Sequence, residues 1–161
     1  MHMQLLQGNV SSVAMAKLDD DALAAWRAFL TAHAHVTRAI SRDLAAAGLP
    51  DLSWYDLLWA LYTQPERRLR VNELAREVVL SPTAMSRFVD RVEAAGYVRR
   101  EPDPADRRAL QITITDDGVT LLRRMWPVYK AGIERYFMAF LGSSTVRVRR
   151  MLERMAGSAR P

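Results

Sequence analysis

The sequence predicts a mainly α-helical chain with one small β-hairpin wing. Three observations carry that prediction. Apolar residues recur at helical spacing over most of the 161 residues. Two short helical segments flank the turn "VLSP" at residues 79–82. Two strand-like runs, "YVRRE" and "ALQITI", are separated by "PDPAD", whose prolines and aspartates favour a turn.

Taken in order, "MHMQLLQGNVSSVAMAK" lacks the basic start and long apolar run of a signal peptide, so residues 1–17 are expected to be a flexible tail or short added helix. Residues 18–161 read as a single domain. Asp19, Asp20 and Asp21 suit the positive end of a helix. Leu23, Trp26, Leu30, Val36, Ile40 and Leu44 give it an apolar stripe up to Gly48, which predicts a helix over 20–47. A second helix is expected over 53–63, with Ser53 as cap and Asp56 completing a capping box. Its aromatic residues suggest burial on more than one side. A third helix over 71–78 points Leu74 and Val78 inward. Ser81 caps a fourth over 82–95, with Pro82 at its first position and Gly96 as its stop.

On a wheel of 100° per residue, Met85, Phe88, Val89 and Val92 fall on one side of that fourth helix. Thr83, Ser86, Arg87, Asp90 and Ala94 fall opposite, with Arg91 at the flank. After the hairpin, Thr115 caps a long helix over 115–140, which Pro127 should kink and Gly142 should end. A last helix is expected over 144–156.

The composition narrows the chemistry. Half the residues are hydrophobic, the net charge is +5, and only Lys17 and Lys130 among the 23 cations are lysine. Arginine forks suit oxyanions, phosphate above all. With no cysteine, thiol nucleophiles, disulfides and cysteine metal sites are excluded. No apolar run approaches the ~20 residues of a membrane span. These features fit a cytoplasmic protein with no membrane partner. His33 and His35 do not share a helix face, so no metal site is expected. There is no phosphate-binding glycine loop, nucleophile motif or His–carboxylate metal spacing, so neither an enzyme nor a cofactor is expected.

Helix, turn, helix and hairpin in this order describe a winged helix-turn-helix over 52–115. The outward hydroxyls and arginines of helix 82–95 suit the major groove of double-stranded DNA, where base edges carry a distinct donor–acceptor code. The wing, residues 101–113, carries Arg107 and Arg108 towards the adjacent minor groove, whose narrow A·T tracts attract arginine. Asp106 would pair with an arginine and hold it in one rotamer.

The stretch "VNELAREVVLSPTAMSRFVDRVEAAGYVRREPDPADRRALQITITDDG" resembles the MarR family of bacterial transcriptional regulators. The likeness lies in its "S-R-x-V-D-R-x-E-x-x-G" helix, its "D-P-x-D-R-R" wing and the "ITDDG" opening of the following helix, where the family has leucine for the isoleucine. The resemblance implies a homodimer joined through helices 20–47 and 116–156, acting on a pseudo-palindromic operator, most simply as a repressor released by an aromatic or anionic effector. A ligand-independent regulator or an activator is the alternative. It also implies that Thr83, Ser86 and Arg87 read bases. Ser81, Arg91 and Arg107 would touch phosphates, and Arg108, oriented by Asp106, would enter the minor groove. A protein-binding use of the winged helix is disfavoured by the lack of apolar residues on the outer face.

For an effector cleft the resemblance points to Trp26, Trp54, Asp56, Tyr62 and Tyr129, with core packing the alternative for the aromatics and helix capping the alternative for Asp56. Charge is also uneven. Residues 123–161 hold nine cations and two acids, net +7, whereas residues 1–66 hold four cations and seven acids, net −3. The acidic start of the first helix is therefore expected near the basic last helix of a partner subunit.

Overall fold

The computed structural model describes residues 19–103, 106 and 109–158. The chain separates into two compact units, one ending at His33 and one running from Ala34 to Pro161. The described part of the first unit is the opening of helix α1 (Asp20–Ala46). The Asp19 carboxylate accepts the Ala22 N–H at 2.6 Å, so an acid caps this end.

The second unit takes up α1 from Ala34 and continues with α2 (Leu52–Tyr62), β1 (Arg68–Arg70), α3 (Val71–Glu77), α4 (Pro82–Ala94), β2 (Val98–Pro102), β3 (Leu110–Ile114) and α5 (Asp116–Ile133). A wide π-turn over Glu134–Met138, the single turn α6 (Ala139–Leu141) and α7 (Thr145–Ser158) complete it. The architecture is mainly helical with a small antiparallel sheet in the order β1-β3-β2, as the sequence predicts apart from one strand. That strand is β1. "RLR" is too short to show an alternating pattern, and it exists because Leu69 pairs with Ile112 of β3.

One core holds the second unit together. Leu44, Leu57, Leu58, Leu61, Leu74, Met85, Val89, Val92, Ile112 and Met125 are fully buried and bring α1, α2, α3, α4, β3 and α5 together. Burial of each such side chain is worth about 1.5–3 kcal/mol, which outweighs any single surface contact.

Three local expectations need correction. The cap of α2 is Asp51, whose carboxylate accepts the Ser53 N–H at 3.0 Å; Ser53 lies inside the helix. The long helix leaves α geometry at Glu134, before the expected end at residue 140, although α5 runs unbroken through Pro127. The hairpin is part of a three-stranded sheet. Other boundaries agree closely. Ser81 caps α4, accepting the Ala84 N–H at 3.2 Å. Thr115 caps α5, accepting from Gly118 N at 3.0 Å and donating to Gly96 O at 2.8 Å. The glycine of "ITDDG" is needed there, because a Cβ on Gly118 would collide with the Tyr97 carbonyl oxygen.

The turn between α3 and α4 holds strain. Leu80 N–H donates to Ala75 O at 2.8 Å and Val79 N–H to Arg76 O at 3.4 Å, the hydrogen bonds of a Schellman motif. Val79 therefore sits at φ 57°, a left-handed conformation that suits glycine and disfavours a β-branched residue. Its side chain is 88% exposed and gains little packing in return. Val79→Gly should therefore stabilise the chain by about 1 kcal/mol in urea unfolding. An unchanged midpoint would show that this turn stores no strain.

Candidate nucleic-acid interface

The core sets the rotation of α4. Met85, Phe88, Val89 and Val92 are buried. Ser81, Thr83, Ser86, Arg87, Asp90 and Arg91 are exposed on the remaining surface. The exposed part of α4 thus presents short hydroxyls and arginines, with no large apolar side chain. The Arg91 guanidinium lies 5.1 Å from the centre of the Phe88 ring, which limits its freedom.

The angle between α4 and the wing is fixed by a contact that the helical wheel does not show. From β2, Arg100 reaches back to α4. Its guanidinium donates to Asp90 at 2.6 Å, to Glu93, and to the Ser86 carbonyl at 3.3 Å, while its N–H donates to Glu93 at 2.8 Å. Burial opposes its charge, but the hydrogen bonds to Asp90 and Glu93 outweigh that and raise its pKa. Asp90 is thereby neutralised on the helix face that carries Arg87. Patterning alone left this aspartate among the outward residues without a role.

A second tie holds the base of the wing. Asp103 is only 2% exposed, and Arg70 Nε donates to its carboxylate at 2.6 Å. That hydrogen bond is the main reason the Arg70 pKa is raised. The Asp103 N–H donates to Ala109 O at 2.9 Å, and the Asp106 N–H to Asp103 O at 3.2 Å, so the described part of the tip is a turn closed by its own backbone. On the outer sheet face, Glu101 accepts from Arg99 at 2.7 Å and Thr113 at 2.8 Å. Arg107 and Arg108 lie outside the described residues, so the pairing expected of Asp106 rests on the sequence alone.

The residues suggested for an effector cleft do not all share one place. Asp56, Tyr62 and Tyr129 line a groove of about 680 Å³ between α2 and α5, together with Tyr55, Trp59, Arg123 and Trp126. The Tyr55 ring lies 4.7 Å from Tyr129 and stacks on Trp59 and Trp126 at 6.1 and 6.2 Å. Desolvation, with Tyr129 and Asp56 close by, pushes the Tyr55 hydroxyl up to about 12. Asp56 keeps solvent access at the rim, yet desolvation by the surrounding protein, with Asp51 adding repulsion, raises its carboxyl above the usual range. Trp54 points elsewhere, packing edge-on against Phe88 and Tyr97 at 6.2 and 5.9 Å. In the first unit, Trp26 is half-exposed and stacked on Phe29 at 5.9 Å. Sequence reasoning weighs Trp126 as a core residue with the cleft as the rival reading, and misses Tyr55, Trp59 and Arg123 as groove residues. The signal was present in "WYDLLWALY" and "RRMW", but α2 and α5 had to be placed side by side to use it.

A model of the MarR family matches residues 47–109, which run from the end of α1 to the wing. Over this stretch the chain is similar to the MarR family. Among curated proteins, the chain is similar to the HTH-type transcriptional regulator PrsX of Escherichia coli, with 33% identity over 86 residues, 53% of this chain and 51% of PrsX. The match thus spans about half the length of that relative. Among solved structures it resembles Sco3205, a MarR family transcriptional regulator from Streptomyces coelicolor in complex with DNA. The TM-score is 0.81 at 29% identity, over 90% of this chain and 92% of that one. It also resembles CouR from Rhodococcus jostii RHA1 bound to p-coumaroyl-CoA, with TM-score 0.69 and 27% identity over 86% and 92% of the two chains. Among the described residues no helix is long and apolar enough to cross a membrane, and no group of three His, Asp or Glu residues is placed to hold a metal.

Two measurements check this geometry. Arg70→Ala leaves Asp103 buried without its arginine, so it should lower the melting temperature more than the double variant Arg70→Ala/Asp103→Ala, which removes the buried charge as well. Equal losses would mean that the pair does not secure the wing. For Asp56, the folded-state pKa is raised, so its ionised form opposes folding at pH 7 and its protonated form does not. Asp56→Asn should therefore melt higher than the native chain at pH 7, with the gap closing as the pH falls below the carboxylate range. A gap independent of pH would assign the effect to something other than the charge.

Proposed function

We propose that this chain is a DNA-binding transcriptional regulator that works as a homodimeric repressor on a pseudo-palindromic operator. The observation that carries this reading is the exposed surface of α4, where hydroxyls and arginines stand opposite a fully buried apolar stripe. Thr83, Ser86 and Arg87 read base edges in the major groove, with Ser81 and Arg91 on phosphates. Arg107 follows the backbone, and Arg108, oriented by Asp106, enters the minor groove. The DNA-bound state of Sco3205 supports the assignment.

The dimer reading rests on surfaces that a lone chain leaves uncovered. Phe29 and Leu30 are exposed in the first unit, as are Phe137, Phe140, Val146, Met151 and Met155 in the second. No residue of α7 is buried, although that helix is amphipathic. Pairing through these faces sets the recognition helices about one DNA turn apart, ~34–36 Å. The acidic start of α1 in one subunit then lies near the basic α7 of the other, complementary in charge.

The groove between α2 and α5 suits an aromatic effector with an anionic end. Its ring faces match the effector body, and Arg123 supplies a cation at the wall. Asp56 is placed to gate it. An effector seated there alters the spacing of the two recognition helices and releases the operator. The chain acts in the cytoplasm and needs no cofactor.

Binding of the full chain to a labelled duplex, measured across a salt series, tests the DNA assignment. Arg108→Ala should weaken binding strongly and relax preference at outer A·T positions while leaving dimerisation intact. Arg91→Ala should weaken all sequences alike and reduce the salt slope by about 1. Unchanged affinity and slope in both variants would defeat the proposed contacts.

A further inference from the structure

The turn between α3 and α4 costs stability, and the fold shows no return for it. Val79 is held at φ 57° by two hydrogen bonds, from its own N–H to Arg76 O at 3.4 Å and from Leu80 N–H to Ala75 O at 2.8 Å. A β-branched residue is disfavoured in that conformation, and backbone strain of this kind clusters at functional sites. The Val79 side chain is 88% exposed, so no core packing offsets the strain. Leu80 beside it is exposed as well. The turn lies on neither of the segments assigned to subunit pairing, residues 20–47 and 116–156.

The turn is continuous with the proposed DNA surface. Residues 79–84 are exposed without interruption and lead through the capping Ser81 into α4. The Ser81 hydroxyl oxygen accepts the Ala84 N–H at 3.2 Å, which leaves its O–H to donate outward. Two residues of chain span at most about 7 Å, so a phosphate that meets Ser81 brings its sugar within reach of Val79. Two apolar side chains fall far short of the ~800 Å² per partner that a stable protein interface covers, which disfavours a protein at this turn. A deoxyribose between two phosphates presents C–H groups over an area that one valine can cover. Valine meets it at little entropic cost, because its χ1 is stiff.

We propose that Val79 is a DNA-contact residue whose methyl groups pack on the deoxyribose next to the phosphate that Ser81 holds. This assignment rests on the DNA reading of α4 and adds to it a contact of a different physical kind. Val79 carries no charge, so the contact releases no counterions and leaves the salt dependence unchanged. It touches no base edge, so it adds affinity without sequence preference. Glycine would relieve the strain at φ 57°, but it has no methyl group to offer the sugar.

The test compares the full native chain with Val79→Gly and Val79→Ala. Affinity is measured across a salt series on a duplex that the native chain recovers from a random pool. Both variants should bind about tenfold more weakly with the native salt slope, although Val79→Gly unfolds at higher urea. Replacing thymine by uracil throughout the duplex should leave that ratio unchanged. Native affinity in both variants overturns the proposal while leaving the DNA reading of α4 standing. A lowered salt slope in either variant also overturns it, since a charged contact would then have moved. Loss of the ratio on the uracil duplex overturns the sugar contact by assigning the methyl groups to a thymine. A native chain that recovers no duplex defeats the DNA reading itself, and this proposal with it.

Discussion

Burial of four side chains on α4 is the constraint on which the rest of the candidate interface depends. Met85, Phe88, Val89 and Val92 enter the core and fix the rotation of the helix about its axis. Once that rotation is fixed, the exposed positions follow with no further choice. Thr83, Ser86, Arg87 and Arg91 face solvent because the apolar stripe does not. A core interaction with no sequence-reading role of its own thus determines which side chains meet a partner.

The wing is positioned by charge rather than by apolar packing alone. Arg100 joins β2 to α4, and Arg70 joins the edge of β1 to the buried Asp103. Both arginines are spent on carboxylates within the chain, which separates them from arginines left for an outside anion. Much of the charge in this basic chain is therefore structural. The net charge of +5 by itself says little about where a phosphate would sit.

Most of the architecture was legible in the sequence because it is written in local signals. Ser81, Pro82, Thr115 and Gly118 mark helix starts, and the α4 stripe follows from spacing alone. What was not legible depends on pairing between distant segments. β1 exists only because β3 lies beside it. The roles of Arg70 and Arg100 require Asp103 and Glu93 to be brought to them. The misplacement of Trp54 has the same origin. It is adjacent to Tyr55 in sequence, but neighbours on a helix point about 100° apart. Tyr55 joins the aromatic groove, while Trp54 turns towards Phe88 and Tyr97. The cap of α2 was displaced by two residues because Asp51 and Ser53 are both good capping residues, and only the backbone path selects between them.

The central claim is that the outward surface of α4, paired across two subunits, reads a specific duplex. Selection of bound duplexes from a random DNA pool by the full chain tests it most directly. The account predicts enrichment of an inverted repeat whose half-sites lie about one helical turn apart. Salt-sensitive binding with no enriched sequence would contradict it, because phosphate attraction alone would then account for all contact with DNA.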